Sequence, residues 1–378
     1  MKKLYSIFLL IFMISCTEKT PTNIDGNFNY QVKIVDPSGI LNSDTLAVPN
    51  ALVTLESRSY FDDFDQPQIY TDYSGSDGIV YFSGLPAALY ILNAVKDTFY
   101  IDPHSGNKIN IKLIGSGEVE ITDKNIQNDI LAIDLLSTSS IVINEIYFCG
   151  PVNTVNYVYD QFVELYNSGD STAYLDGLII CRARPYSHPD METNDFLQAI
   201  CFFKFPGEYN ITWDYPIEPG QFIVVASDAF DHASVIANSV NLSDAEWEFY
   251  NPYAGDIDYP AANVVNILPE FTIDFLISLV HNAVILADGS NWYYGDVKND
   301  KGDQYVHVPI KDILDVVEYS SNAEAEKQIT IRLDAGFAGV GMQRYSGKSV
   351  ERRFPGFDLN NSSLDFINLD KPTPGYQH

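Results

Sequence analysis

The stretch that decides the fold contains two apolar segments, "IVINEIYF" (residues 141–148) and "QFVELYN" (residues 161–167). Both are short and rich in Ile, Val, Phe and Tyr, which is typical of β-strands. Each carries one carboxylate, Glu145 or Glu164, in otherwise apolar or aromatic surroundings. We therefore predict a pair of neighbouring strands that opens a β-domain.

The two glutamates are the first candidate site. In an alternating strand Glu145 shares a face with Ile143 and Tyr147, and Glu164 shares a face with Tyr166. If these faces point inward and the strands are neighbours, the two carboxylates approach each other under an aromatic cover. Such a pair can work as an acid–base dyad, hold Ca²⁺, or accept structural hydrogen bonds.

Composition sets the fold class and limits the function. The 378 residues suffice for two or three domains, and 46% are hydrophobic. Tyr and Phe are abundant, and Pro and Gly recur at short intervals, so we predict an all-β protein. The net charge of −29 repels phosphate backbones, which argues against nucleic-acid binding. The basic segment "QRYSGKSVERR" (343–353) is interpreted as a strand or turn that pairs with nearby acids.

The amino terminus has the features of a secretory signal. Lys2 and Lys3 precede an apolar run over residues 4–14, which is too short to span a bilayer. "MISC" (13–16) resembles a bacterial lipobox. The resemblance implies that residues 1–15 form a lipoprotein signal peptide and that Cys16 carries lipid. Residues 16–27 are then a polar tether, and the exported remainder is anchored to the outer membrane.

Residues 28–136 contain about seven short strands separated by turn signals, among which Asp77-Gly78 predicts a hairpin. "VPNALVTLES" (48–57) and "TDYSGSDGIVYFSGLPAALYIL" (71–92) resemble the carboxypeptidase regulatory-like, or transthyretin-like, domain. This resemblance implies a compact β-sandwich.

The polar stretch "LSTSS" (136–140) is the predicted domain boundary, and residues 141–378 form the second domain. "FVELYNSGDSTAYLDGLII" (162–180), "IEPGQFIVVAS" (217–227) and "ILDVVEY" (313–319) resemble the lamin-tail domain, an immunoglobulin-like sandwich. A further strand is predicted at "QITIRL" (328–333). Because the lamin-tail resemblance covers both glutamates and brings no common activity, we favour structural hydrogen bonding for them. With the first domain and the lipobox, the chain resembles Bacteroidetes-type lipoproteins of unknown function.

An insertion of about residues 228–272 interrupts the second sandwich. Ser243 and Glu246 form a capping-box pattern, which predicts a short helix. Aromatic residues in and after the insertion suit recognition of a sugar or a protein partner, or else they complete the core. These candidate binding residues are Trp247, Phe249, Tyr250, Tyr253, Tyr259, Trp292, Tyr293 and Tyr294.

Three cysteines remain after Cys16. Cys181 and Cys201 lie in consecutive predicted strands and are the preferred disulfide, which leaves Cys149 free and buried. No metal is predicted on balance, although an oxygen-rich segment could hold Ca²⁺. Its candidate ligands are Asp288, Asp296, Asp300 and Asp303.

No catalytic motif is present in the sequence. The six histidines lie in no HExxH, HxH or GxSxG context, and no glycine-rich segment has the form of a phosphate loop. We therefore predict a non-enzymatic lipoprotein without a cofactor. It binds a glycan, another small ligand or a membrane partner, for which the family resemblance suggests a TonB-dependent outer-membrane transporter. The alternatives are an adhesion or scaffold lipoprotein and a secreted hydrolase with an unrecognised site.

Overall fold

The fold is described from a computed structural model. The described residues are 26, 28–37, 41, 46–61, 67–101, 108–122, 127–135, 140–152, 157–186, 191–298 and 304–378. The predicted signal peptide, Cys16, almost all of the tether and most of the "LSTSS" boundary lie outside them. The described part is nearly all β, which confirms the predicted fold class. No helix in it is long and apolar enough to span a bilayer.

The amino-terminal half of the described chain forms two small sheets. Its strands are β1 (Phe28–Val35), β2 (Leu52–Phe61), β3 (Pro67–Tyr73), β4 (Ile79–Leu85), β5 (Ala88–Ile101), β6 (Lys108–Ile121), β7 (Gln127–Ala132) and β8 (Asp134–Leu135). One sheet has the order β4-β1-β7 and the other β3-β2-β5-β6-β8. β1 and β7 are parallel, whereas the other pairs are antiparallel. A hydrophobic core that includes Tyr30, Val53 and Tyr90 joins the two sheets.

The turn at Asp77-Gly78 differs from the predicted hairpin. Gly78 has a φ of +78°, the left-handed conformation that favours glycine. The flanking strands, β3 and β4, lie in different sheets. The residue pattern therefore predicted the local backbone correctly, but the turn carries the chain from one sheet to the other.

Among its described residues, the carboxy-terminal half contains fifteen strands, one short α-helix and two 3₁₀ turns. The strands are β9 (Ile141–Tyr147), β10 (Phe162–Asn167), β11 (Ala173–Tyr174), β12 (Ile179–Ala183), β13 (Phe196–Lys204), β14 (Pro216–Ile217), β15 (Phe222–Ala226), β16 (Trp247–Tyr250), β17 (Ala262–Asn266), β18 (His281–Ala287), β19 (Tyr293–Lys298), β20 (Gln304–Pro309), β21 (Ile313–Ser320), β22 (Ser349–Arg352) and β23 (Phe366–Leu369). The helix α1 spans Ser362–Asp365, and the 3₁₀ turns span His232–Ser234 and Ile310–Asp312.

One continuous sheet dominates this half. Its order is β21-β18-β12-β13-β17-β16-β15-β10-β9-β22-β23, with β20 on β13 and β19 on β20. β16 and β17 come from the predicted insertion, pair in parallel, and connect β15 to β13. The insertion therefore completes the sheet instead of standing outside it. The predicted helix at Ser243 is wrong, because residues 243–246 form turns and bends that lead into β16.

Alternating residues of this sheet pack into two different hydrophobic clusters. The central core includes Phe203, Phe249 and Val317, whereas a second cluster includes Phe202 and Ile285. The segment predicted as the strand "QITIRL" (328–333) packs into this second cluster without forming a strand. Its apolar residues are buried because the segment covers a sheet face, so burial produced the hydrophobic pattern there.

The segment 358–363 joins the two halves. Asn361 Nδ2 donates to Glu56 Oε2 at 2.8 Å, and Ser363 Oγ donates to the same oxygen at 2.6 Å. Lys112 Nζ donates to the carbonyl of Asp358 at 2.6 Å. These contacts bind β2 and β6 to α1 and to the loop that precedes it.

Candidate functional site

An open cleft of about 530 Å³ lies on the carboxy-terminal half. Four loops line it: the loop before β10, the loop after β15, the loop between β16 and β17, and the segment before β18. Most of this lining comes from the predicted insertion. The segment after β17 contributes Thr272 to Leu276, slightly beyond the predicted end of the insertion.

Three carboxylates form the acidic part of this cleft, and we call Asp228, Asp256 and Asp274 the aspartate cluster. One oxygen of each lies within 4.8 Å of an oxygen of the other two. Asp256 accepts from the backbone amides of Asn251 and Ile257, and Asp274 accepts from that of Phe275. No described residue donates a hydrogen bond to the carboxylate of Asp228. The aspartate cluster therefore has carboxylate lone pairs, above all those of Asp228, that accept no hydrogen bond from a described residue.

The electrostatics of the aspartate cluster disfavour ionisation of all three groups. Burial, followed by the charges of Asp256 and Glu248, raises the pKa of Asp228 to about 7. Burial, followed by the charges of Asp256 and Asp228, raises the pKa of Asp274 to about 8. Burial also raises the pKa of Asp256. The lining contains no lysine or arginine among the described residues, so a positive charge is the missing partner.

Aromatic side chains and one histidine form the wall beside the carboxylates. Phe230 and Tyr259 stack with ring centroids 5.4 Å apart. Burial lowers the pKa of His232, so its ring is neutral at pH 7. Its Nε2 donates to the carbonyl of Asp228 at 3.0 Å, and its Nδ1 accepts from the hydroxyl of Tyr157 at 2.5 Å. Both ring nitrogens are thus engaged within the protein.

Glu248 fixes two of the loops. From β16 its Oε2 accepts from the amide of Ala229 at 3.1 Å, and its Oε1 accepts from the amide of Tyr259 at 2.7 Å. The first amide follows Asp228 directly, and the second lies three residues after Asp256. Glu248 therefore positions two members of the aspartate cluster without lining the cleft.

In the structure, the predicted aromatic residues of the insertion fall into two groups, one in the core and one at or near the surface. Trp247 and Phe249 belong to the central core, where Phe249 stacks on Phe275 with centroids 3.6 Å apart. They complete the core, which is the alternative interpretation. Tyr259 lines the cleft, Tyr253 is exposed, and Tyr250 is partly buried at the end of β16.

The later aromatic group lies at a different place. Trp292 packs beside Phe202, while Tyr293 contacts His307 on β20. Tyr293 and Tyr294 are partly exposed, and none of the three lines the cleft.

The proposed Ca²⁺ ligands near this group are described only in part. Asp300, Asp303 and the side chain of Asp296 lie outside the described residues. Asp288 accepts from the amide of Ser290 at 2.8 Å. The Ca²⁺ site at these four aspartates stays a prediction.

Glu145 and Glu164 are paired directly across β9 and β10. Both side chains are buried, but the predicted alternation of β9 is wrong at one point, because Glu145 does not share a face with Ile143. The register shifts by one residue at Asn144, so Ile143 and Ile146 both face the central core. The bulge breaks the alternation of β9, so Glu145 points to the opposite side of the sheet from that core. Glu164 points to that side through the regular alternation of β10, in which Val163 and Leu165 face the core.

A third buried carboxylate, Glu351 on β22, faces Glu145, and we call Glu145, Glu164 and Glu351 the glutamate cluster. The C-terminal strap, defined as residues 371–378, covers it. The amide of Thr373 donates to Glu145 at 3.1 Å, and the amide of Gly375 donates to Glu164 at 2.6 Å. These contacts agree with the favoured interpretation of structural hydrogen bonding.

Further donors complete this arrangement. Gln377 Nε2 donates to Glu351 at 2.8 Å, and Asn144 Nδ2 donates to Glu164 at 2.9 Å. Burial is the main cause that raises the pKa of Glu145 to about 8 and that of Glu164 to about 9.

The predicted Cys181–Cys201 disulfide is not formed. Cys149, Cys181 and Cys201 are buried free thiols. Cys201 packs into the central core with Phe203, whereas Cys181 packs into the cluster on the other face of the sheet. Consecutive strands suggested the pair, but Cys181 pairs with Phe202. Cys201 is the extra residue of a bulge in β13 and has a φ of +59°, and its sulfur lies on the opposite face of the sheet from that of Cys181.

The aspartate cluster was not predicted from the sequence. Its members lie far apart in the chain and share no motif, so only the fold brings them together. The available signal was the position of Asp228 and Asp256 within a long insertion that is rich in acids and aromatics.

Residues 218–373 match the profile of a family described as "Protein of unknown function (DUF4876)". The chain is similar to the crystal structure of a DUF4876 family protein from Bacteroides thetaiotaomicron, with 21% identity and a TM-score of 0.51 over 90% of this chain and 94% of that one. At this identity the likeness supports the fold alone. Curated proteins gave no match to this chain.

Two other solved structures share much weaker likenesses. A candidate carbohydrate-binding protein from Pseudomonas aeruginosa is 15% identical, with a TM-score of 0.23 over 30% of this chain and 92% of that one. A candidate adhesin from Bacteroides ovatus is 13% identical, with a TM-score of 0.20 over 53% of this chain and 74% of that one. These scores are too low to carry an argument about function. The comparisons therefore relate this chain to a β-protein family of unknown function.

Proposed function

We propose that this chain is a non-enzymatic, membrane-anchored binding protein that takes a cation in the cleft. The observation that carries the proposal is the aspartate cluster, three converging carboxylates without a described basic partner, beside an aromatic wall. The smallest ligand that fits is a divalent metal ion such as Ca²⁺.

The spacing of the cluster suits Ca²⁺. This ion takes oxygen ligands at roughly 2.3–2.6 Å, so two oxygens on opposite sides of it are about twice that distance apart. The separations within 4.8 Å in the aspartate cluster fall inside this limit. A bound cation would also remove the mutual repulsion that raises the pKa values of Asp228 and Asp274.

Binding explains the cleft better than catalysis does. A general base needs a lone pair that can reach a substrate proton. Nδ1 of His232 already accepts from Tyr157, and its Nε2 donates to a carbonyl. The remaining titratable groups that line the cleft are carboxylates and tyrosines. The carboxylates keep lone pairs that a base could use, but these are the oxygens that the proposed cation would occupy, and on that ground we favour a binding protein over a hydrolase.

Calorimetric titration of the full chain with CaCl₂, after treatment with a chelator, tests the proposal. We expect one site with a dissociation constant of about 10⁻⁴–10⁻³ M, the range of extracellular modules. Asp228→Asn should weaken binding at least about tenfold, because it removes a third of the acidic ligand set. Asp244→Asn, an exposed aspartate of the same insertion, is the matched control and should bind as the parent does.

A parallel titration with choline separates metal binding from recognition of an organic cation by the aromatic wall. If choline binds and Asp228→Asn weakens that binding, the cleft is still a cation-binding site, but its ligand is an organic cation and not a metal ion. Absence of binding for both probes would refute the proposal.

Anchoring at Cys16 and a partner in the outer membrane also belong to this proposal. They rest on the signal sequence and on the resemblances. Labelling of the expressed chain with radioactive palmitate should give a lipid-modified product that Cys16→Ala abolishes. Affinity purification of the lipidated protein from membranes tests the transporter, and recovery without any outer-membrane transporter counts against it. In that case the adhesion or scaffold alternative is favoured.

A further inference from the structure

A second aromatic feature lies apart from the cleft, between the short strands β11 and β14. Trp213 is 55% exposed, although a tryptophan is among the costliest side chains to leave in water. Its ring contacts Tyr174 edge-on, with centroids 5.0 Å apart and an interplanar angle of 81°. The indole is therefore held in one orientation while much of its surface remains open to solvent.

The loop that carries Trp213 is fixed by hydrogen bonds. The carboxylate of Asp176 accepts from the amide of Asp214 at 3.0 Å and from the amide of Tyr215 at 2.9 Å. Thr212 Oγ1 accepts from the amide of Glu208 at 2.8 Å, which closes the turn before the tryptophan. The two amides that follow Trp213 are thus both anchored, and the exposure of the ring is built into the loop.

A small cavity of about 210 Å³ lies beside the ring. It is smaller than the roughly 300 Å³ at which pockets for drug-sized ligands begin. Its lining combines Trp213 and apolar residues such as Leu178 and Leu314 with hydroxyl and amide side chains, which can both donate and accept hydrogen bonds. These polar side chains are Ser140, Thr172, Tyr209, Asn210 and Thr212.

The charge of this cavity differs from that of the cleft. Asp176 is its only charged lining residue among those described, and both of its oxygens accept from backbone amides. Burial alone would raise the pKa of Asp176, but these amides and the hydroxyl of Thr212 outweigh it and lower the pKa. The negative charge of Asp176 is stabilised by these donors within the protein, so the groups that the cavity offers to a ligand are neutral.

We infer that Trp213 and Tyr174, together with this cavity, bind a neutral saccharide. The exposed indole face packs against the apolar C–H face of a sugar ring, and the hydroxyl and amide groups accept and donate to its hydroxyls. A charged ligand finds no free counter-charge here, and a small cavity that combines polar and apolar walls fits the hydroxyl groups and C–H faces of a sugar unit. The site is separate from the aspartate cluster and needs no cation.

Affinity electrophoresis and calorimetry with the full chain in a chelator test this inference. The probes are neutral hexasaccharides of glucose, mannose and galactose. We expect at least one of them to bind, and Trp213→Ala to weaken that binding at least about tenfold. Trp213→Phe should retain part of the affinity, because it keeps an aromatic face.

Phe354→Ala is the matched control, since Phe354 is also exposed and also has an edge-on aromatic neighbour, Phe357. It should leave saccharide binding unchanged. Asp228→Asn should do the same, so that a failed cation site and a failed sugar site can be told apart.

Three outcomes overturn the inference. The first is that none of the three saccharides binds. The second is that Trp213→Ala binds as the parent does at an unchanged melting temperature. The third is that the face around Trp213 captures a protein and no saccharide.

Discussion

The glutamate cluster and the aspartate cluster are two groups of three carboxylates in the same half of the protein, and their hydrogen-bond surroundings differ. The C-terminal strap covers the glutamate cluster with backbone amides, a hydroxyl and a side-chain amide. The aspartate cluster opens into a cleft of about 530 Å³ and receives only amides from its own loops. Similar chemistry therefore serves two purposes.

The difference shows which buried acids point to a ligand. Desolvation raises the pKa of members of both clusters, so a raised pKa does not separate them. The number of hydrogen bonds that the protein donates to the carboxylates does separate the two clusters. A carboxylate whose oxygens are filled by the chain is part of the fold, whereas one with fewer donors, such as Asp228, beside open space has room for an external partner.

Removal of the C-terminal strap should have the largest effect. A chain that stops at Lys371 leaves the glutamate cluster without the donors of Thr373, Gly375 and Gln377. We expect the free energy of unfolding to fall by at least about 3 kcal/mol, because several hydrogen bonds to buried acids are lost. Urea denaturation measures it.

Tyr376→Ala is the control for the strap, because this side chain is exposed within the same segment. It should change stability by less than about 0.5 kcal/mol. If the shortened chain is as stable as the parent, the strap does not hold the glutamate cluster.

Glu164→Gln should have the next largest effect. The substitution places an NH₂ group opposite either the amide of Gly375 or Nδ2 of Asn144, both of which are donors. We expect a loss of about 1–2 kcal/mol near pH 6, read from urea denaturation, with cation binding unchanged. The exposed Glu324→Gln is the matched control. Loss of ligand binding at unchanged stability would show that Glu164 belongs to a binding site.

Asp274→Asn should act in the opposite direction. In a chelator at about pH 8 the substitution removes a charge that Asp256 and Asp228 repel, while an oxygen can still accept from Phe275. We expect a gain of roughly 1 kcal/mol in unfolding free energy, allowing for solvent screening. In saturating Ca²⁺ the sign should reverse, because the variant lacks a ligand. A variant that is less stable in both conditions would place the aspartate cluster with the structural acids.

The local pattern of residues predicted much of the fold. Alternating apolar runs located β9, β10 and β15, and the Asp-Gly pair predicted the positive φ of Gly78. Predictions failed where a long-range feature decided the outcome. The bulge at Asn144 reversed the face of Glu145, and the parallel pairing of β16 with β17 turned a predicted insertion into part of the sheet.

The candidate site was predicted only as a region. The aromatic residues drew attention to the insertion, yet Trp247 and Phe249 proved to be core residues. Isolated aspartates carry no periodic signal, and their convergence depends on how three loops pack. Trp213 gave no signal for a related reason, because the sequence does not reveal which tryptophan the fold leaves exposed.

The pH dependence of stability gives the smallest and most discriminating comparison. Asp228 and Asp274 have folded-state pKa values of about 7 and about 8, well above those of an unfolded chain. The folded protein therefore holds protons that the unfolded chain releases. Their contribution to stability is fully present below the unfolded-state pKa of about 4, and it is lost progressively as the pH rises from there through the folded-state values of about 7 and about 8.

The glutamate cluster has the same sign, since Glu145 and Glu164 titrate at about 8 and about 9 in the folded state. A bound Ca²⁺ takes the place of the protons on the aspartate cluster only. Ca²⁺ should therefore reduce the decline in unfolding free energy between about pH 5 and pH 9 by about 0.5–1 kcal/mol, and the decline from the glutamates should remain. In Asp228→Asn/Asp274→Asn the curves with Ca²⁺ and with chelator should coincide, whereas in Glu164→Gln they should still differ. If Ca²⁺ leaves the parent curve unchanged, or shifts the double variant equally, the two clusters do not differ in the way their donors indicate.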